Sequence, residues 1–94
     1  MKVEFAPAAT ADLSAIAGYI ALDNPARAES FTDELVDRCL DIPDFPESGV
    51  ARSDLEPGIR VLVHGRYLIL YRMLPGEVRI ERIVHGSRTL PDLP

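Results

Sequence analysis

Polar and apolar positions alternate at the start of the chain. In Lys2-Val3-Glu4-Phe5-Ala6, Val3 and Phe5 fall on one face, the period-two pattern of a short strand, and Pro7 ends it. From about Ala9 to Leu22 the rhythm changes to i, i+3, i+4, i+7, carried by Leu13, Ile16, Ala17 and Ile20, which predicts an amphipathic helix. Gly18 costs that helix about 1 kcal/mol relative to alanine, and is expected where a neighbouring helix approaches closely. Asp23-Asn24-Pro25 then punctuates the chain: asparagine caps a helix well, and proline loses nothing at the first helical position. A second apolar stripe follows through Ala28, Phe31, Leu35, Cys39 and Ile42, with Glu34 and Arg38 spaced for an i,i+4 pair on the polar face, until Pro43 stops it. Two such helices joined by so short a turn are expected to pack as an antiparallel hairpin.

Residues 43–58 hold no sustained period and read as a loop pinned at Pro43, Pro46 and Pro57. Three strand-like runs come next: Ile59–Val63, Tyr67–Met73 and Val78–Val84. Tight turns at His64-Gly65-Arg66 and Pro75-Gly76 join them. The middle run is apolar enough for a central strand. The order β-α-α-β-β-β, with no repeat and no boundary, predicts a single α+β domain over residues 1–94. Its sheet should be mainly antiparallel, with the helical hairpin on one face. After Thr89 the chain is rich in proline and is expected to fray.

Composition narrows the picture. A chain of 94 residues supports one modest core. The longest apolar run, Tyr67–Tyr71, falls far short of a membrane span, and the N-terminal stretch lacks the pattern of a secretory signal. Cys39 is the sole cysteine, which excludes an internal disulfide and any multi-cysteine metal site and suits a reducing cytoplasm. No metal or cofactor is implied by the spacing of the two histidines or the scattered carboxylates.

The net charge of −5 is unevenly distributed. Residues 1–47 carry ten acids against Lys2, Arg27 and Arg38, whereas residues 48–94 carry seven arginines against five acids. An acidic domain of this kind is a poor general binder of nucleic acid, because that affinity comes mainly from neutralising phosphates.

Several local sequences, in order, resemble the RelE/ParE family of bacterial toxin–antitoxin modules. They are Ala11-Asp12-Leu13 with Ile16 and Tyr19-Ile20, and Asn24-Pro25 with Ala28 and Phe31; then Pro46-Glu47-Ser48-Gly49, Arg52-Ser53-Asp54-Leu55 and Pro57-Gly58-Ile59-Arg60; and finally Gly65-Arg66-Tyr67-Leu68-Ile69-Leu70-Tyr71-Arg72 and Arg82-Ile83-Val84-His85-Gly86-Ser87-Arg88. The resemblance runs from about residue 2 to 90. It implies a cytoplasmic toxin neutralised by a cognate antitoxin, with DNA reached only through that antitoxin and no membrane involved. The ParE-like branch binds DNA gyrase. The RelE-like branch cleaves mRNA on the ribosome. A third possibility is a member without toxicity that acts only in a repressor complex with its antitoxin.

Metal-free RNA cleavage needs proton-transfer groups and cations around the developing phosphorane. The candidates here are Arg60, His85 and Arg88, but Val61, Leu62, Val63 and Leu68 are apolar where the ribonuclease branch tends to be basic, and the C-terminal end offers no aromatic side chain. The sequence therefore leans to the ParE-like branch, with Arg60, Arg66, His85 and Arg88 as target-binding residues. Each has an ordinary alternative: His85 as a turn residue, Arg88 as an ion-pair partner, and Arg60, Arg66 and Arg72 as a solvated basic face of one hairpin. Cys39, Tyr67 and Tyr71 read as core. For the antitoxin, the helical hairpin offers Leu13, Ile16, Ile20, Phe31, Glu34 and Leu35. Its acids (Asp12, Asp23, Glu29, Asp33, Glu34, Asp37, Asp41) call for lysine or arginine in the partner.

Overall fold

The computed structural model describes residues 1–87. Strand β1 (Lys2–Phe5) leads into helix α1 (Pro7–Ala21) and, after a short turn, helix α2 (Pro25–Leu40). A single 3-10 turn (Ile42–Asp44) and strand β2 (Val50–Ala51) precede three longer strands, β3 (Ile59–His64), β4 (Tyr67–Leu74) and β5 (Glu77–His85). The five strands lie in the order β1-β5-β4-β3-β2, with β1 parallel to β5 and the other pairings antiparallel. The α+β class and the helical hairpin on one face are as the sequence predicts.

The local chemistry explains most boundaries. Asn24 Oδ1 accepts from the Arg27 backbone N–H at 3.0 Å, capping α2 with Pro25 at its first position. At the β3–β4 turn, Gly65 takes a φ of +59°, as the first central position of a type II′ turn requires.

Four expectations change. Pro7 does not merely end β1; it opens α1, two residues earlier than the apolar stripe suggests, because a first-turn N–H is unpaired anyway. Gly18 faces open space and receives no neighbouring helix. Glu34 does not pair with Arg38; it reaches back to Arg27 and across to His64 of β3. The expected loop contains β2, whose two residues pair with Val61 and Arg60 of β3.

The sheet is apolar on both faces. On the helix side, Leu62, Ile69, Tyr71, Val78, Ile80 and Ile83 pack with Ala9, Ile16, Phe31, Leu35 and Cys39. On the other side, Ile59, Val61, Leu70 and Val84 form a smaller cluster under Leu55. Because side chains alternate along a strand, Arg60 and Arg72 project from opposite faces, so the basic hairpin face expected from the sequence does not form.

Two polar clamps fix the layers. Between Leu70 and Tyr71 the β4–β5 register shifts, so that β5 carries one extra residue. There the Asp12 carboxylate of α1 accepts from Arg82 Nε (2.8 Å), from Arg82 Nη2 (3.0 Å) and from the Ile83 backbone N–H (2.9 Å). The second clamp holds the loop after α2. The hydroxyl of the fully buried Tyr71 donates to Pro46 O (2.8 Å) and accepts from the Gly49 N–H (3.0 Å), while Arg60 Nη1 donates to Gly49 O (2.7 Å). Gly49 approaches so closely that a Cβ there would stand 2.7 Å from the Tyr71 ring.

Candidate functional site

Three strand ends bring His64, Tyr67 and His85 into one row: His64 stands opposite Tyr67 in the β3–β4 register, and Tyr67 opposite His85 in the β4–β5 register. Their rings continue into α2. Phe31 meets His64 at 5.8 Å and Tyr67 at 5.5 Å between centroids, and Tyr67 meets the His85 ring edge-on at 5.2 Å. The Arg27 guanidinium lies 5.0 Å over Phe31 and is held there by Glu34. That hydrogen bond is also the main reason the Glu34 carboxyl titrates below its ordinary range.

At the outer end of the row is an open hollow of about 530 Å³ lined by Tyr19, Arg66, Tyr67, His85 and Ser87. Among the described residues no carboxylate lines it, although the chain is acidic overall. The Ser87 backbone N–H donates to His85 Nδ1 at 3.1 Å, with the Ser87 hydroxyl at 2.7 Å. An accepting Nδ1 leaves the proton of the neutral ring on Nε2, so His85 presents a donor away from Ser87. The β3–β4 turn is anchored to the same place, since the Gly86 N–H donates to Arg66 O at 2.7 Å.

The structure sorts the residues picked from the sequence. It brings Arg66 and His85 together. Arg60 lies four positions before His64 on β3, roughly 13 Å along the strand, and its guanidinium holds the Gly49 carbonyl. Arg88 lies outside the described residues. Arg72 bridges Glu56 and Glu81, Arg82 is clamped by Asp12, and Arg52 and Arg79 each sit beside a carboxylate. Among the described residues, Arg38 and Arg66 are left as the guanidiniums without a hydrogen-bonded or ionic partner. Sequence reasoning missed Tyr19 as a member of the site. Its signal was an aromatic residue off the apolar stripe, and it is 67% exposed here.

For the surface expected to meet an antitoxin, burial is decisive. Leu35 is fully enclosed, and Ile16 and Phe31 are buried in the helix–sheet core, so these three hold the fold and offer a partner little or nothing. Leu13 and Ile20 are half-buried against the same core, and Glu34 is exposed but engaged. Asp12 is likewise occupied, by Arg82 and Ile83. Asp23, Glu29, Asp33, Asp37 and Asp41 remain exposed. Among the described residues no helix is long and apolar enough to cross a membrane, and no group of His, Cys, Asp and Glu is placed to hold a metal ion.

Comparison with known proteins follows this geometry. One chain of a solved structure, "Chromosomal ParDE TA system from P. aeruginosa", aligns over 93% of this chain and 97% of its own length, with a TM-score of 0.79 and 26% identity. No curated protein matches at a significant level. The sequence model of the ParE toxin of the type II toxin–antitoxin system parDE matches residues 3–90. The chain therefore belongs to the ParE toxin family of type II toxin–antitoxin systems.

Proposed function

We propose that this toxin acts by binding DNA gyrase, without chemistry of its own, and that a cognate antitoxin neutralises it. Membership of the ParE family carries the reading. The hollow beside β4 and β5 supports it: the guanidinium of Arg66, without a partner among the described residues, and the Nε2–H of His85 are donors on a surface where no described carboxylate lies, suited to acidic groups of a protein target. The ribonuclease alternative is weakened, because Arg60 is committed to the Gly49 carbonyl and stands apart from the His85 row. The likeness to a chain of a ParDE system supports an antitoxin as partner.

The test is a supercoiling assay with purified gyrase, ATP and relaxed plasmid. Loss of supercoiling on adding the toxin is expected, with weaker inhibition by Arg66→Ala and His85→Ala. Gyrase that is unaffected at micromolar toxin overturns the reading for that enzyme, and ribosome-dependent mRNA cleavage is then the assay to run.

A further inference from the structure

The segment that follows α2 carries features the target-binding hollow does not use. Phe45 is 70% exposed and Val50 is 68% exposed, at the two ends of a stretch held rigid from below. Tyr71 ties Pro46 to Gly49 through its hydroxyl, Arg60 fixes the Gly49 carbonyl, and the Ser48 N–H donates to Phe45 O at 2.9 Å. Large apolar side chains on a preorganised platform are poor surface and good anchor points, since binding then costs little ordering entropy. An open apolar hollow of about 480 Å³, lined by Phe45, Pro46, Glu47 and Ser48, lies beside them. Among the described residues, strand β2 forms the outer edge of the sheet there and pairs on one side only, with β3.

Acids outnumber cations around this platform, where Arg38 in the last turn of α2 and Arg60 on the Gly49 carbonyl are the positive charges. Glu29, Asp33, Asp37 and the C-cap Asp41 follow one another at four-residue spacing along α2 and its end, all exposed and none in an ion pair among the described residues. Like charges at i,i+4 repel by a few tenths of a kcal/mol per pair, and acids near a helix C-terminus oppose its dipole. The row continues through Asp44 and Glu47, which flank Phe45 and are also exposed and without cationic partners among the described residues. A polypeptide bearing positive charge would relieve all of these at once.

We propose that the platform Asp44–Val50, with the open edge of β2 and the acidic row of α2, is the docking surface for an extended segment of the cognate antitoxin. That segment is cationic and inserts one large apolar side chain beside Phe45. The proposal rests on the reading of this chain as an antitoxin-neutralised toxin; it keeps the α2 acids expected from the sequence and moves the apolar contact from the buried helix stripes to Phe45 and the edge of β2.

Random short peptides displayed on phage are panned against the full chain. Selected peptides are then measured by fluorescence anisotropy against the wild type, Phe45→Ser and Asp44→Lys/Glu47→Lys, after circular dichroism has verified that each variant folds. The expected winners are rich in lysine or arginine around an apolar residue. They should lose roughly tenfold or more in affinity to each variant, and should weaken as salt is raised. Neutral or acidic winners, or equal binding to Phe45→Ser, overturn the proposal.

Gyrase added as competitor separates target from antitoxin: displacement of the peptide would make this a target-facing surface and also refute the assignment. Expression of the wild type in cells reports on toxicity independently. Absence of growth arrest would sink the toxin reading while leaving the anisotropy result to decide the docking surface.

Discussion

Replacing Asp12 with alanine removes three hydrogen bonds at once, two from Arg82 and one from the Ile83 N–H. Hydrogen bonds to a charged group contribute about 1.5–3 kcal/mol each, and an orphaned buried donor costs about 1–3 kcal/mol, but bonds to one carboxylate do not add. Breaking a fully buried ion pair costs about 3–5 kcal/mol. That upper range is not reached here: the Asp12 and Arg82 side chains retain 14% and 16% exposure, so water enters, and Arg82 is not left without other partners.

The expected loss is therefore about 2–4 kcal/mol, a large share of what a domain of this size possesses. Asp12→Asn keeps an acceptor for the Ile83 N–H but drops the charge, and is expected to lose about half as much. Urea unfolding followed by circular dichroism measures both. With a slope of roughly 1–3 kcal/mol per molar urea, Asp12→Ala should lower the midpoint by about 1–2 M. A cost below about 0.5 kcal/mol, the level of an ordinary surface change, would refute the claim that this carboxylate clamps α1 to the β5 irregularity.

Three further outcomes are expected. Gly49→Ala places a Cβ 2.7 Å from the Tyr71 ring, which its own hydrogen bonds prevent from retreating, so about 1–3 kcal/mol should be lost; wild-type thermal stability in this variant would contradict the packing. Burial pushes the Cys39 thiol up to about 12 from an ordinary 9.0. The neutral thiol therefore stabilises the fold fully below pH 9, and this contribution fades as pH rises toward 12. A disulfide reagent at pH 8 should label Cys39 only as fast as the protein opens, and rapid labelling of the native state would contradict this. The Glu34 carboxyl is held below its ordinary 4.5 by Arg27, so its stabilisation is present above that value and lost as pH falls through the lower folded one. Glu34→Gln should accordingly be less stable than wild type near neutrality and converge with it in acid; parallel stability curves from pH 7 to the acid limb would refute the pairing.

The elements governed by neighbours in sequence were legible. Asn24-Pro25 announced α2, Gly65 and Pro75-Gly76 marked the hairpins, and the stripes of Leu13–Ile20 and Phe31–Ile42 gave the buried helix faces. What escaped depends on partners far apart. Asp12 meets Arg82 across 70 positions, and nothing local distinguishes it from the exposed acids of the hairpin. Arg60 looked like a ligand-binding residue because its partner is a backbone carbonyl, which carries no side-chain signature. The same applies to β2, whose two residues become a strand only because β3 lies alongside. Of the candidate site, His85 and Arg66 were legible from turn and strand grammar, but their convergence with Tyr19 required the docking of α1 on the sheet.

The parallel pairing of β1 with β5 places Lys2 opposite Glu77, 75 positions later. The first strand thus closes the sheet that the last strand completes, and closure of so long a loop is favourable only when everything between has condensed. A polypeptide interrupted anywhere before β5 would lack both the neighbour of β1 and the strand that carries His85, and it would expose the edge of β4. Completion of the sheet is in this way tied to synthesis of β5. Copies truncated before β5 should therefore be prone to aggregate or be degraded, because an unpaired strand edge is a template for other chains.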